Sequence, residues 1–243
     1  MKFQPGPISD PRTNQLLAAL PDAEWTRWEP YLEPVELALG QVLSESGHAP
    51  AHVHFPTTAI VSMLHMTQDG ASTEVAVIGN DGVVGISLFM GGNAMPNWTV
   101  VQSAGLGYRL SAQAVTSEVK RGGAVLLTLL RYTQALMDQV AQTAACNRYH
   151  SIDQLLCRRL LLALDRLPSS GLMMTQELLA NLLGVRREGV TAAARKLQRD
   201  GVIRYSRGRI DVLDRVRLAQ RTGDWPARIP VPRAGRTAMT LAA

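Results

Sequence analysis

The sequence predicts an α+β chain: an N-terminal antiparallel β-roll or jelly roll, a long central helix, and a C-terminal pair of short helices closed by a β-hairpin. Three observations predict it. Short apolar runs broken by glycine and proline recur between Val35 and Leu110. An apolar stripe with alternating steps of four and three residues runs from Leu126 to Ala144. Residues 174–213, MTQELLANLLGVRREGVTAAARKLQRDGVIRYSRGRIDVL, change periodicity from helical to alternating within one short stretch. A length of 243 residues suits two small domains, and 46% hydrophobic residues supply their cores. The expected divisions are a β-roll over 14–120, a central helix over 121–149, a second α/β unit over 150–218, and a flexible tail over 219–243.

Taken in order, residues 1–12 read as a flexible lead containing Pro5, Pro7 and Pro11. Leu16, Leu17, Leu20, Trp25, Trp28 and Leu32 give a short helical pattern. Candidate strands follow at 42–43, 52–55, 59–64, 74–78, 98–101 and 107–110. A long helical segment spans about 111–147, interrupted near Gly122-Gly123. Its seam of Leu126, Leu130, Thr133, Met137, Val140 and Ala144 has the steps of a coiled-coil face, which suits a parallel homodimer along this helix or, alternatively, a helix buried wholly within the monomer. Leu127, Leu129 and Leu136 form a second stripe, expected to face the chain's own β-roll. Ser151-Ile152-Asp153-Gln154 fits a capping box, opening a helix that runs through Leu155, Leu156, Leu160, Leu164 and Leu167 to Pro168. Residues 168–173 read as a hinge.

The next stretch carries the most specific signal. Thr175 is placed to cap a helix, and Glu177 sits in its first turn, where the helix dipole favours an acid. Leu178, Leu179, Leu182 and Leu183 give its apolar face, and Gly184 permits a left-handed turn. A second helix over about 187–199 places Val190, Ala193, Ala194 and Leu197 inward. Residues 202–205 and 209–212 read as strands around the turn Ser206-Arg207-Gly208. This is the layout of a winged helix-turn-helix, which sets one helix into the major groove of double-stranded DNA. The candidate DNA-contacting residues are Thr175, Gln176, Arg186, Arg187, Glu188, Thr191, Arg195, Lys196, Arg207 and Arg209. Charge agrees: residues 175–243 hold 14 Arg and Lys against 6 Asp and Glu, a net of +8, whereas residues 1–174 carry 11 against 14, a net of −3. A basic module of this kind suits phosphate neutralisation and counterion release.

Other classes are weakly supported. No apolar run approaches the roughly 18 residues of a membrane span, so no membrane partner is expected. Met1-Lys2 is followed by polar sequence without a signal-peptide core. The two cysteines, Cys146 and Cys157, lie in helical pattern, which argues against a disulfide framework and for the cytoplasm. Enzyme motifs such as Gly-x-Ser-x-Gly, a P-loop or His-Glu-x-x-His are missing, so no catalysis is expected. His48, His52, His54 and His65 lack Cys or Glu at ligand spacing, and neither a metal nor a cofactor is expected.

The order of β-roll, long helix and winged helix-turn-helix resembles the CRP/FNR family of bacterial transcription regulators over about residues 14–218. The residues that carry the resemblance are Val53-His54-Phe55-Pro56, the run Gly79-Asn80-Asp81-Gly82-Val83-Val84-Gly85, and Thr175 to Leu197. The resemblance implies a homodimer that binds a pseudo-palindromic operator, with RNA polymerase as a further partner. The family's recognition motif, Ser-Arg-Glu-Thr-Val and then Arg two residues on, falls on Arg186-Arg187-Glu188-Gly189-Val190 and then Ala192. Arg187 and Glu188 match it; Arg186, Gly189 and Ala192 do not, so the family's half-site does not carry over. Arg195, Lys196, Arg207 and Arg209 take the place of phosphate contacts, which position without specifying. The family's cyclic-AMP grips, a Gly-Glu pair and a later Arg-Ser, align with Gly85-Ile86 and near Met95-Pro96-Asn97. Neither charge is present, so a vestigial pocket near Gly85, Ile86 and Asn97 is expected not to hold cyclic AMP. No cysteine precedes Cys146, which argues against an iron–sulfur sensor. Two alternatives stay open: a regulator answering to another nucleotide (cyclic di-GMP) or haem, and a ligand-binding scaffold acting through protein partners.

Overall fold

The computed structural model of the chain describes residues 10–92, 94–167 and 171–223. Two short helices, α1 (Gln15–Ala18) and α2 (Asp22–Trp28), bury Leu16, Leu17, Trp25 and Trp28 against the first core. Seven strands follow: β1 (Glu33–Leu37), β2 (Val42–Ser44), β3 (His52–Pro56), β4 (Ile60–Met66), β5 (Ser72–Ile78), β6 (Trp98–Ser103) and β7 (Gly105–Ser111). They pair antiparallel in two sheets, ordered β1-β7-β3 and β2-β6-β4-β5. Val53, Phe55, Val61, Met63, Val101 and Leu110 fill the space between them. This is the β-roll that the alternation predicts, with β1 an additional strand. Its core holds twenty-odd apolar side chains, enough burial at about 25 cal/mol per Å² to sustain a domain.

Helix α3 (Ala112–Arg121) is capped by the Ser111 hydroxyl and ends at Gly122. Helix α4 (Ala124–Tyr149) runs on for 26 residues. The interruption at Gly122-Gly123 stands where expected, both glycines having positive φ. Val125, Leu129, Tyr132 and Leu136 of α4 pack into the β-roll core. Its other face is exposed and apolar: Leu127, Leu130 and Met137 are 54%, 45% and 63% accessible. The exposed residues therefore step through 127, 130, 134, 137, 141 and 144. Two expectations are corrected here. Leu127 lies on the exposed face rather than against the roll. Thr133, placed in the seam, is buried within the chain, with its hydroxyl bonded to the Leu129 carbonyl at 3.0 Å. Leu126 and Val140 are half-buried, and Leu130, Met137 and Ala144 are exposed. The physical reason is phase: the roll accepts the stripe Val125, Leu129, Tyr132 and Leu136, which turns the exposed face part of a turn away from the predicted seam while its steps of three and four persist.

Helix α5 (Ile152–Leu164) opens with the capping box, both reciprocal bonds between Ser151 and Gln154 being made. It stops at Leu164, short of the expected Leu167. Strand β8 (Gly171–Met173) comes next, then α6 (Gln176–Leu183), α7 (Arg187–Arg199), β9 (Ile203–Ser206), β10 (Arg209–Val212) and α8 (Arg215–Gln220). The predicted hinge is corrected: its second half pairs antiparallel with β10, making a three-stranded sheet ordered β8-β10-β9, while residues 168–170 lie outside the described residues. The expected tail is corrected over its first residues, 219–223, which pack on the module. Thr222 is buried and Arg221 pairs with Asp200 at 2.7 Å; residues 224–243 lie outside the described residues, as do residues 1–9 of the expected lead.

The second core gathers Leu156, Leu160, Leu179, Val190, Leu197 and Ile210. It also takes in Ile60 and Val77 from the roll, so the two units are docked against each other. Gly79 and Gly82 belong to this joint. A Cβ on Gly79 would lie 2.6 Å from Arg166 Cβ, and one on Gly82 would lie 2.5 Å from the Tyr132 hydroxyl. The glycine-rich run 79–85 thus serves close approach as well as turning. Among the described residues no helix is long and apolar enough to cross a membrane.

Candidate nucleic-acid interface

The reader is built from α6, α7 and the β9–β10 wing. Thr175 accepts a bond from the Leu178 amide at 3.1 Å, which starts α6. Gly184 closes it at φ 65°, a left-handed turn that glycine adopts without strain. Helix α7 begins at Arg187 without a side-chain cap, because Arg186 stands at the position where a serine would serve. Val190, Ala193, Ala194 and Leu197 bury one face of it. At about 100° per residue, Arg187, Glu188, Thr191, Ala192, Arg195 and Arg199 fall on the other. Gly189 faces α5, where a Cβ would meet Ile152 Cδ1 at 2.5 Å. The departure from threonine at 189 therefore goes with tight α5–α7 packing.

The expected residues do not all serve one purpose. Arg186, Arg187, Glu188 and Arg195 are exposed. Thr191 Oγ1 lies 2.7 Å from Gln176 Oε1 and 2.9 Å from the Arg187 carbonyl, so this pair ties α7 to α6. Lys196 pairs with Asp153 of α5 at 2.5 Å, on the side of α7 turned from Arg187. Arg209 pairs with Asp211 at 2.9 Å and lies over Gly171. Arg207 stands at the tip of the wing with φ 50°, the one non-glycine residue of positive φ among those described. The register Arg209↔Ser206 leaves Arg207-Gly208 as a two-residue loop, both with positive φ, which is a type I′ turn. Asn or Gly is the usual first residue there; an arginine holds a strained backbone at the point that projects furthest.

Thr175, Gln176, Arg187, Arg195, Gln198, Tyr205 and Arg207 line an open cleft of about 540 Å³ between α7 and the wing. The wing is braced on it: Tyr205 donates its hydroxyl to the Met174 carbonyl at 2.7 Å, and Gln198 accepts the Tyr205 amide at 3.1 Å. Arg187, Arg195, Arg199 and Arg207 form no ion pair among the described residues. Arg199 is exposed beside Ala192 and Arg195 and is missing from the sequence-based set. Its spacing of four from Arg195 on the same face was the signal that could have found it.

The β-roll offers a different chemistry. Gly85 has φ 100°, and Ile86 is buried in the first core, so its aliphatic chain packs with Phe89 and Val84. Asn97 is engaged with His65 Nδ1 at 3.2 Å and with Met63. His52 and His54 stand on one strand face, ring centroids 6.3 Å apart. Burial, then the neighbouring His52 and Arg109, holds His54 down at about 4. Among the described residues no cluster of three or more His, Cys, Asp or Glu could hold a metal ion.

Residues 155–221 match the model of the Crp-like helix-turn-helix domain. No curated protein sequence matches the chain significantly. Among solved structures, one from Eubacterium rectale, described as a transcriptional regulator of the Crp/Fnr family, is similar with a TM-score of 0.68 at 17% identity, covering 87% of this chain and 99% of its own. A CRP-family transcriptional regulator from Thermus thermophilus is similar at 0.64 and 18% identity, over 78% of this chain and 96% of its own. The c-di-GMP-responsive global regulator CLP of Xanthomonas campestris is similar at 0.60 and 15% identity, over 79% and 99%. At these identities the likeness is one of fold.

Proposed function

From the premise that residues 155–221 are a Crp-like helix-turn-helix domain within a chain of CRP/FNR fold, hence a DNA-binding regulator and no enzyme, we propose that the protein binds a pseudo-palindromic operator as a homodimer. The observation that carries the reading is the set of arginines unpaired among the described residues: Arg187, Arg195 and Arg207 around the cleft between α7 and the wing, and Arg199 beside Arg195 on the exposed face of α7. Arg187 and Glu188 read base edges, as guanidinium on guanine and carboxylate on cytosine. Arg195, Arg199 and Arg207 hold phosphates, with Thr175, Gln176 and Arg186 beside them. Lys196 and Arg209 reach DNA only by leaving Asp153 and Asp211. The dimer forms along the exposed face of α4 through Leu130, Met137 and Ala144, flanked by Leu126 and Val140, with Leu127 added. Its two-fold axis sets the half-site spacing. The protein works in the cytoplasm, with RNA polymerase as the partner that reads its position on DNA. The roll senses a signal other than cyclic AMP, since Ile86 supplies no acceptor for a ribose hydroxyl.

The test is a binding titration of the purified protein on operator DNA selected from random sequence, repeated at several salt concentrations with and without cyclic AMP. The expected result is tight binding without the nucleotide, no change on its addition, and a log–log salt slope near −0.9 per phosphate neutralised. Equal affinity for operator and random DNA would reduce the module to non-specific attachment. A tenfold gain with cyclic AMP would restore the pocket.

A further inference from the structure

The joint between the β-roll and α5 buries more positive charge than negative. Arg158 and Arg159 of α5, and Arg166 just beyond it, are 6%, 2% and 5% exposed. Two carboxylates answer them. Arg159 Nε lies 2.7 Å from Glu74 of β5, an ion pair by distance in which no Arg159 nitrogen makes an aligned hydrogen bond among the described residues, and Arg166 lies 2.8 Å from Asp81. Arg158 has no carboxylate within ion-pair distance among the described residues. Its Nη2 donates to Thr143 Oγ1 at 3.5 Å, a long bond to a neutral hydroxyl that itself donates to the Gln139 carbonyl at 2.8 Å. Its Nε is buried with no partner among the described residues.

The same side chain walls two neighbouring cavities of about 20 Å³ each. Gln139 and Leu162 line both; Asp81, Gln142 and Arg166 line one, and Glu74, Asn147 and Arg159 the other, so that each cavity sets two guanidiniums against one carboxylate. A guanidinium cannot shed its proton to escape burial, although burial pulls Arg158 below its ordinary value. The nearby Tyr132 hydroxyl and Cys146 thiol are pushed up by burial and stay neutral, so neither supplies the missing charge. A buried, unpaired cation is costly unless something negative joins it. A water needs about 10–15 Å³, so each cavity admits one small group and nothing larger.

We propose that Arg158 holds a small inorganic anion of chloride size in this joint, bridging β5, α4 and α5. Gln139, whose Nε2 donates to the Val77 carbonyl at 3.2 Å, and Gln142 give the cavity polar walls, and Arg158 supplies the charge. Because the ion touches the roll, the central helix and the reader together, its occupancy favours the docked arrangement of reader on roll. The proposal rests on this cluster alone and does not depend on what the reader binds.

Two measurements on the full chain test it. Crystals grown in bromide should show an anomalous peak within about 3.5 Å of the Arg158 guanidinium. Thermal unfolding in chloride, against gluconate at constant ionic strength, should show a saturable rise of about 2–5 °C. Arg158→Met should abolish the chloride dependence. Gln142→Glu, which sets a second carboxylate beside Asp81 in one of these cavities and balances its two guanidiniums, should abolish it too while raising the chloride-free midpoint; this variant decides the matter if Arg158→Met does not fold. Water in place of bromide beside Arg158, or an equal chloride response in wild type and Gln142→Glu, overturns the proposal.

Discussion

Arginine does opposite things in the two ends of the C-terminal module. In the joint, Arg158, Arg159 and Arg166 are buried, and two of them are locked to carboxylates of the roll. On α7 and the wing, Arg187, Arg195, Arg199 and Arg207 are exposed and unpaired. The chemistry of the side chain is the same in both places. In the first it fixes how one unit sits on another, since a desolvated ion pair tolerates little displacement. In the second it waits for a polyanion, since an exposed cation gains most by releasing counterions from DNA. A charge count alone does not separate the two roles; burial does.

The largest effect should come from breaking a buried pair. Arg166→Ala strands Asp81 at 4% exposure and should cost about 3–5 kcal/mol in urea unfolding. Replacing both partners, Asp81→Leu with Arg166→Met, should cost much less, because no lone charge is left behind. A loss below about 1 kcal/mol for Arg166→Ala would show that the joint is wetter than its burial implies.

Next comes the exposed face of α4, where Leu127, Leu130 and Met137 stand beside the exposed Arg131 and Asp138. Met137→Glu should set like charges face to face across the proposed two-fold axis and cost several kcal/mol of dimer stability. Sedimentation should then report a monomer with lost operator binding. A surviving dimer would move the interface elsewhere.

The roll excludes charge at His54 as the joint admits it at Arg158. His54 is held near 4 in the fold and returns to 6.5 on unfolding, so the unfolded chain binds the extra proton. Its contribution is complete above about pH 6.5 and is lost as pH falls toward 4, amounting to at most about 3 kcal/mol. His54→Gln should flatten that part of the stability–pH curve; an unchanged slope would assign it to groups other than His54, and not to Glu74, whose carboxyl is pushed up by burial and gives the opposite slope.

On the reader, effects should fall on DNA and spare stability. Arg187→Ala should cost about 1–3 kcal/mol at one base pair and less than about 0.5 kcal/mol in unfolding. Equal weakening on all sequences would make it a phosphate contact. The smallest effect separates the two requirements within one residue. Arg207→Asn should relieve the positive-φ strain, stabilising the wing by up to about 1 kcal/mol, while lowering the salt slope of DNA binding by about one unit. If stability drops instead, the arginine side chain is packing on the wing.

What was legible in the sequence is what short-range chemistry dictates. Thr175, Gly184, the Ser151–Gln154 box and the pair Gly122-Gly123 punctuate helices through bonds and dihedrals spanning at most a few residues, and each stands where it was expected. The inner stripe of α7 follows from 3.6 residues per turn, so Arg187, Glu188 and Arg195 could be placed outside before any fold was known. Tertiary structure decided the rest, because it depends on contacts between residues far apart in the chain. Strand β8 is three residues without a pattern of its own, and exists because β10 offers it an edge. Lys196 and Arg209 read as free cations until Asp153 and Asp211 are brought beside them. The sides of α4 were set by which stripe the roll could accept, which put Leu127 out and Thr133 in. Arg158, Arg159 and Arg166 look like the solvated residues of a leucine-rich helix; only the approach of Glu74 and Asp81, some 85 residues away in the latter case, buries them and makes their charge count. Local order is written in neighbouring residues, whereas burial is a property of the whole packed chain, and burial is what turns a charge into a joint or leaves it free to meet DNA.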